Sequence, residues 1–88
     1  MLNCIEITAT GAVFAAPTFI SKVVLIGGSD ASTLALSDGT SGSDPVKVRE
    51  TAAANITTSL DFERGVKFGT AVYATLSGTG AKAYIYYK

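Results

Sequence analysis

NITTSLDFE, residues 55–63, is the stretch on which the reading of the whole chain turns. Ile56, Thr58, Leu60 and Phe62 fall on one side of it, and Thr57, Ser59, Asp61 and Glu63 on the other. Strict alternation over a short span marks a strand with one face buried, because successive side chains of a strand point to opposite faces of a sheet. The same period of two recurs on both sides. PVKVRE (45–50) sets Val46 and Val48 against Lys47 and Arg49, STLALS (32–37) puts Leu34 and Leu36 on one face, and CIEIT (4–8) does the same with Ile5 and Ile7.

Only FISKVVLIGG (19–28) is apolar on both faces. It reads as a strand buried on two sides, or as one covered by a neighbouring subunit. Ile20, Val24 and Ile26 are therefore candidate interface residues. Turn signals separate the segments: Thr10-Gly11, Ala16-Pro17, Gly27-Gly28-Ser29-Asp30, LSDGTSGSDPV (36–46), Arg64-Gly65 and Ser77-Gly78-Thr79-Gly80. Strands at intervals of about ten residues predict an antiparallel sandwich or barrel. No segment has a helical period, and TAAAN (51–55) offers one turn at most. The expectation is an all-β chain with a single domain over 1–88, a small antiparallel β-sandwich of jelly-roll-like or Greek-key type. Some seven to eight short strands would build it.

The C-terminal segments read as a hairpin. AVYATLS (71–77) turns Val72, Ala74 and Leu76 one way and Tyr73 and Thr75 the other, while AKAYIYYK (81–88) opposes Ala83, Ile85 and Tyr87 to Lys82, Tyr84 and Tyr86. Matching the apolar faces would place Ala74 opposite Ile85 and leave an even-length glycine loop, either Thr79-Gly80 or Gly78 to Ala81. Tyr73, Tyr84 and Tyr86 would then share one outer face. Three roles suit such tyrosines: a protein interface, plain cross-strand pairing, or stacking against a sugar or base.

Composition removes several function classes. Seven basic and seven acidic residues cancel in the 88, which argues against binding nucleic acid through its phosphates. No apolar run approaches the ~18 residues of a membrane span, so no membrane association is expected. Histidine is absent and cysteine occurs once, which excludes an intrachain disulfide and a zinc centre of ordinary type. The cysteine usage and the N-terminus, with no basic segment ahead of an apolar one, fit synthesis in a cytoplasm. Cys4 reads as a small apolar filler, and Asn55-Ile56-Thr57 is a glycosylation triplet that carries no implication by itself.

Catalytic patterns fail in turn. GTSGS (39–43) lacks the glycine a nucleophile elbow requires, no phosphate-binding glycine pattern occurs, and Asp61 and Glu63 sit on an exposed strand face. No catalytic residue, metal site or cofactor is assigned, and the chain is read as a non-enzyme. LSDGTSGSDPV keeps two readings. Asp30, Asp38 and Asp44 could converge on calcium with help from carbonyls and hydroxyls. The alternative is a connecting loop, since Asp38-Gly39 is a turn dipeptide and Asp44-Pro45 opens the next strand. Asp38, Ser41 and Asp44 are accordingly candidate contacts to a partner.

SDGTSGSDPVKV (37–48) followed by GVKFGTAVYATLSGTGAKAYIYY (65–87) resembles a pattern in small β-rich virion proteins of tailed bacteriophages. There a D-G-x-S-G-type loop leads into a valine-rich strand, and a G-[IV]-x-F…G-x-x-V-Y-x-T-L-x-G-T-x-A block ends in an aromatic strand. Ala71 departs from it, standing where a glycine is common. The resemblance implies a capsid decoration (cement) protein that binds the major capsid protein, or another virion protein, at the capsid surface. It also implies a homo-oligomer, with a trimer expected. A tail or head-fibre accessory module that binds a receptor or glycan through Tyr73, Tyr84 and Tyr86 is the alternative.

Overall fold

The structure, a computed structural model, describes residues 3–88. It contains β1 (Asn3–Ile7), β2 (Gly11–Phe14), β3 (Thr18–Ile26), β4 (Ser32–Asp38), β5 (Val46–Ala52), β6 (Thr57–Phe68), β7 (Val72–Ser77) and β8 (Lys82–Tyr87). These form two four-stranded antiparallel sheets, sheet I in the order β1-β8-β3-β6 and sheet II in the order β2-β7-β4-β5. The all-β sandwich expected from the alternating segments is thus the fold observed.

Nested pairing explains the strand order. Asn3 pairs with Tyr87, Gly11 with Ala74, Thr18 with Phe68, Ser32 with Ala52 and Ser37 with Val46. The chain is one long antiparallel ribbon, β1 on β8, β2 on β7, β3 on β6 and β4 on β5. Its tip is the loop 39–45. Rolling that ribbon brings β3 beside β8 and β4 beside β7, which completes both sheets. An eight-stranded double sheet wound in this way is a jelly roll.

The alternation settles which side chains enter the core. Val23, Leu25 and Ile85 of sheet I face Leu34, Leu36, Val72 and Ala74 of sheet II, and all are essentially without exposure. Leu60 and Phe62 pack against the same core from β6. Burial of a leucine-sized side chain contributes ~1.5–3 kcal/mol, so this small cluster carries most of the favourable energy.

Three sequence expectations are corrected. β7 and β8 keep the faces assigned to them, but they lie in different sheets. Residues 77–81 form a corner crossing the sandwich, with Gly78 and Gly80 at φ 112° and 74°. Two strands that face each other across a core need the same alternation as two that pair side by side, so the pattern could not separate the cases. Arg64-Gly65 is not a turn between strands. β6 runs through it with an irregular bulge in which Gly65 takes φ 77°, and pairing shifts from Ile20–Val66 to Lys22–Asp61. The third correction concerns Ile20. Ser21 is an extra residue relative to β8, so Ile20 and Val23 both point inward, and Ile20 is fully buried in the core and not at an interface.

Candidate interaction surface

The outer face of sheet I is laid out by its register. One row across the strands reads Cys4, Tyr86, Lys22, Asp61 and the next reads Glu6, Tyr84, Val24, Ser59. A third places Lys82, Ile26 and Thr57 side by side. Tyr84, Tyr86, Val24 and Ile26 are half-buried at the centre. Phe19 continues the surface at one end of β3, and Ile56 stands beside its other end, next to Thr57. These two are the exposed large hydrophobic side chains among the described residues, 42% and 51% accessible. The doubly apolar character of FISKVVLIGG is therefore divided between the core and this face.

Polar contacts hold the tyrosines. The Tyr84 hydroxyl donates to Glu6 Oε2 at 2.6 Å, and the adjacent carboxylate raises the Tyr84 pKa above its ordinary 10.0. The ammonium of Lys22 lies 6.0 Å from the centre of the Tyr86 ring, at the outer limit of a cation–π contact. Beside this row the β6 bulge opens a cleft of about 860 Å³, lined by Lys22, Asp61, Arg64, Tyr86 and Lys88 among others. Its mixed charge selects no single ligand class.

Sheet II presents a different exterior. Thr33, Ala35, Thr75 and Tyr73 face outward there, so Tyr73 is on the opposite broad side from Tyr84 and Tyr86. No single aromatic platform joins the three. Gly42 of the ribbon tip lies over Thr75 and the Tyr73 ring, which places the loop 39–45 against this face.

The loop itself is organised by its aspartates. Asp44 Oδ2 accepts from the backbone N–H of Thr40 at 2.9 Å and of Ser41 at 3.0 Å, while Ser41 Oγ and Ser43 Oγ are 2.8 Å apart. Asp38 accepts from the N–H groups of Gly69, Thr70 and Ala71, and Lys47 Nζ comes within 3.2 Å of it. Those N–H groups, with that of Thr70 foremost, hold the Asp38 carboxyl down to a pKa of about 2. Lys47 can reach because it is the extra residue of β5 between the pairs Leu36–Val48 and Ser37–Val46, and its Nζ also donates to Lys67 O at 2.8 Å. Asp30, before β4, lies at the other end of the strand that closes on Asp38. The calcium reading fails on this geometry: the three carboxylates do not converge, and two of them are ringed by N–H dipoles whose positive ends would repel a cation. Among the described residues no group of three His, Cys, Asp or Glu is placed to hold a metal ion. Of the loop candidates, Ser41 is exposed, whereas Asp38 and Asp44 serve the loop.

Two further residues depart from expectation. Cys4 is exposed at the rim of the sheet I face and is not a core filler. Glu50 is 94% buried on the inward side of β5; Thr58 Oγ1 donates to its Oε2 at 2.9 Å, and its Oε1 has no partner among the described residues. Position 50 continues the inward series of Val46 and Val48, so the period of two pointed to it although its charge argued for solvent. Glu6 and Lys22, which anchor the two tyrosines, gave no signal of their own, because their partners are distant in sequence. Comparison with family models, with curated proteins and with solved structures gave no match.

Proposed function

We propose that this chain is a non-enzymatic structural component of a bacteriophage virion, a decoration protein that binds the major capsid protein and reinforces the shell. The observation that carries the reading is the asymmetry of the sandwich. One broad face holds two half-buried tyrosines, Val24, Ile26 and the exposed Phe19, whereas the other is threonine-rich and partly covered by its own loop. Tyrosine with apolar neighbours is the composition of protein–protein contact surfaces. Jelly rolls also occur among viral capsid domains, but a fold hosts many functions and adds little weight alone. The virion setting rests on the sequence resemblance, and the surface is of a composition suited to protein contact.

The glycan-binding alternative loses support from the placement of Tyr73 away from the other two tyrosines, and from the engagement of the Tyr84 hydroxyl by Glu6. Quantitative mass spectrometry of purified particles tests the proposal. Copies in proportion to the capsid protein are expected. Copies matching a tail tip or fibre would move the protein to the accessory class, and absence from particles would end the virion reading.

A further inference from the structure

We propose that the seam between β5 and β6 is a proton-operated latch: protonated Glu50 donates to Thr58, Thr58 donates on to the backbone carbonyl of Thr51, and loss of the proton unfastens the seam. These residues lie away from the outer face of sheet I, so the inference is independent of the attachment surface.

Local geometry carries it. β5 and β6 are edge strands of different sheets, and no backbone ladder joins them. The connection 53–56 closes one end of the seam, and Lys47 Nζ, donating to Lys67 O at 2.8 Å, closes the other. Between these ends stands Thr58, its Oγ1 2.9 Å from Glu50 Oε2 and 3.2 Å from Thr51 O. A threonine hydroxyl has one proton to donate and lone pairs with which to accept. While Glu50 is ionised, two acceptors compete for that proton, and the carboxylate takes it as the stronger. Thr51 O is then left without it, and Glu50 Oε1 has no partner among the described residues. Protonation ends the conflict. The carboxyl O–H donates to Thr58 Oγ1, the threonine proton passes to Thr51 O, and both short distances become hydrogen bonds at once.

Among the described residues no other charge faces this carboxyl. Its cross-strand partner on β4 is Leu34, and Asp38 lies at the end of that strand, held by Lys47 and the N–H groups of residues 69–71. Lys47 and Arg49 of β5 are exposed, as are Asp61, Glu63, Arg64 and Lys67 of β6. Lys22 of β3 belongs to the outer row of sheet I. Tyr87 meets the core beside Ile20, at the opposite end of β3 from Leu25, the partner of Thr58. Burial raises the carboxyl above its ordinary 4.5, with the Thr58 hydroxyl opposing. The latch is thus fastened below 4.5 and released as pH rises through the raised value. Once ionised, a carboxylate short of partners draws water into the seam.

Carbon-detected NMR titration of the isolated chain tests the relay, and amide hydrogen exchange tests the seam. The Glu50 carboxyl carbon is expected to titrate above 4.5, and the Thr51 carbonyl carbon to shift with the same midpoint. Exchange from β5 amides, corrected for the intrinsic effect of pH, should rise about tenfold through that midpoint, the scale of one net hydrogen bond. In Glu50→Gln the amide donates to Thr58 as the protonated carboxyl does, so both responses should vanish. Thr58→Val serves as the second variant should Glu50→Gln lose its β circular-dichroism signal: Glu50 still titrates there, but the Thr51 carbonyl no longer follows. A Thr51 carbonyl that stays flat while Glu50 titrates in the wild type would overturn the proposal. So would a Thr51 shift that survives in Thr58→Val, a Glu50 midpoint at or below 4.5, or β5 exchange unaltered by the titration. Each readout concerns the isolated protein, so a failure here leaves the particle experiment to judge the virion reading separately.

Discussion

Asp38 and Glu50 are carboxyls displaced in opposite directions, and together they set how stability depends on pH. Asp38 is held at about 2 against an ordinary 3.8, chiefly by the Thr70 N–H. Its contribution is present above pH 3.8 and is lost as pH falls through about 2. Glu50 is raised above its ordinary 4.5, because burial penalises its charge and the Thr58 hydroxyl compensates only in part. Its contribution has the other sign: it is complete below 4.5 and is lost as pH rises through the raised value. Thr58 Oγ1 partners one oxygen of this carboxylate, and among the described residues the other oxygen has no partner to offset the ion. Calorimetric melting temperatures should therefore peak at acid pH, above 3.8 and below the raised Glu50 value. Glu50→Gln should raise the melting temperature near pH 8 and leave it nearly unchanged near pH 4. Equal losses at both pH values would mean that the carboxylate is needed as such, and that its burial is not the cost inferred from its orphan oxygen.

At the scale of elements, the alternation of NITTSLDFE told which faces turn inward but not which strands become neighbours. Val72, Ala74, Ala83 and Ile85 were correctly placed in the core, yet the hairpin drawn from them does not exist. What separates a hairpin from a corner is the contact at Gly28. A Cβ there would strike the carbonyl oxygen of Thr79, and Ser29 N donates to that same oxygen at 3.0 Å. Gly27 N donates to Ile56 O at 2.9 Å and Asn55 N to Gly28 O at 2.8 Å, so the β3–β4, β5–β6 and β7–β8 connections meet here. Asn55 takes φ 60°, which asparagine tolerates better than most side chains, and this is a structural reason for the residue that begins the glycosylation triplet. Gly28→Ala should cost on the order of 3 kcal/mol, since the Thr79–Gly80 backbone that the Cβ would strike is tied to Ser29 N and cannot yield. Urea unfolding measures it, and a loss below ~1 kcal/mol, the ordinary cost of a point change, would show that the three connections can separate. The sheet edges follow the same logic. β6 carries a bulge and charges, β5 an inward-pointing Glu50 beside Lys47 and Arg49, and β2 is four residues long with a bulge of its own, all devices that discourage edge-to-edge pairing.

The nested ribbon governs the molecule as a whole. Pairing Asn3 with Tyr87 requires that every inner pair be in place or be bypassed, and this long-range wiring was not legible in the sequence because no local residue encodes it. Chains dominated by such pairings fold in ~ms to s, since loop closure is costly until the contacts form. The same nesting makes the loop 39–45 the only connection between β4 and β5 and sets the start of β1 beside the end of β8. A permuted chain that joins Lys88 to Asn3 through a short Gly/Ser linker and opens between Ser41 and Gly42 keeps all six ladders. It gives up the backbone link at the tip and the Asp44 turn, but Asp38 retains the N–H groups of residues 69–71. Exchanging one loop closure for another of similar length changes stability by ~1 kcal/mol, so the permutant should fold to the same sandwich with a slightly lower urea midpoint. The order of events should change more. With β1 and β8 now joined by a short loop, the outermost pair becomes the most local, and folding should accelerate while unfolding changes little. Stopped-flow refolding of the two chains decides it. A permutant that folds no faster would show that closure of the tip, and not of the outer strands, limits the rate.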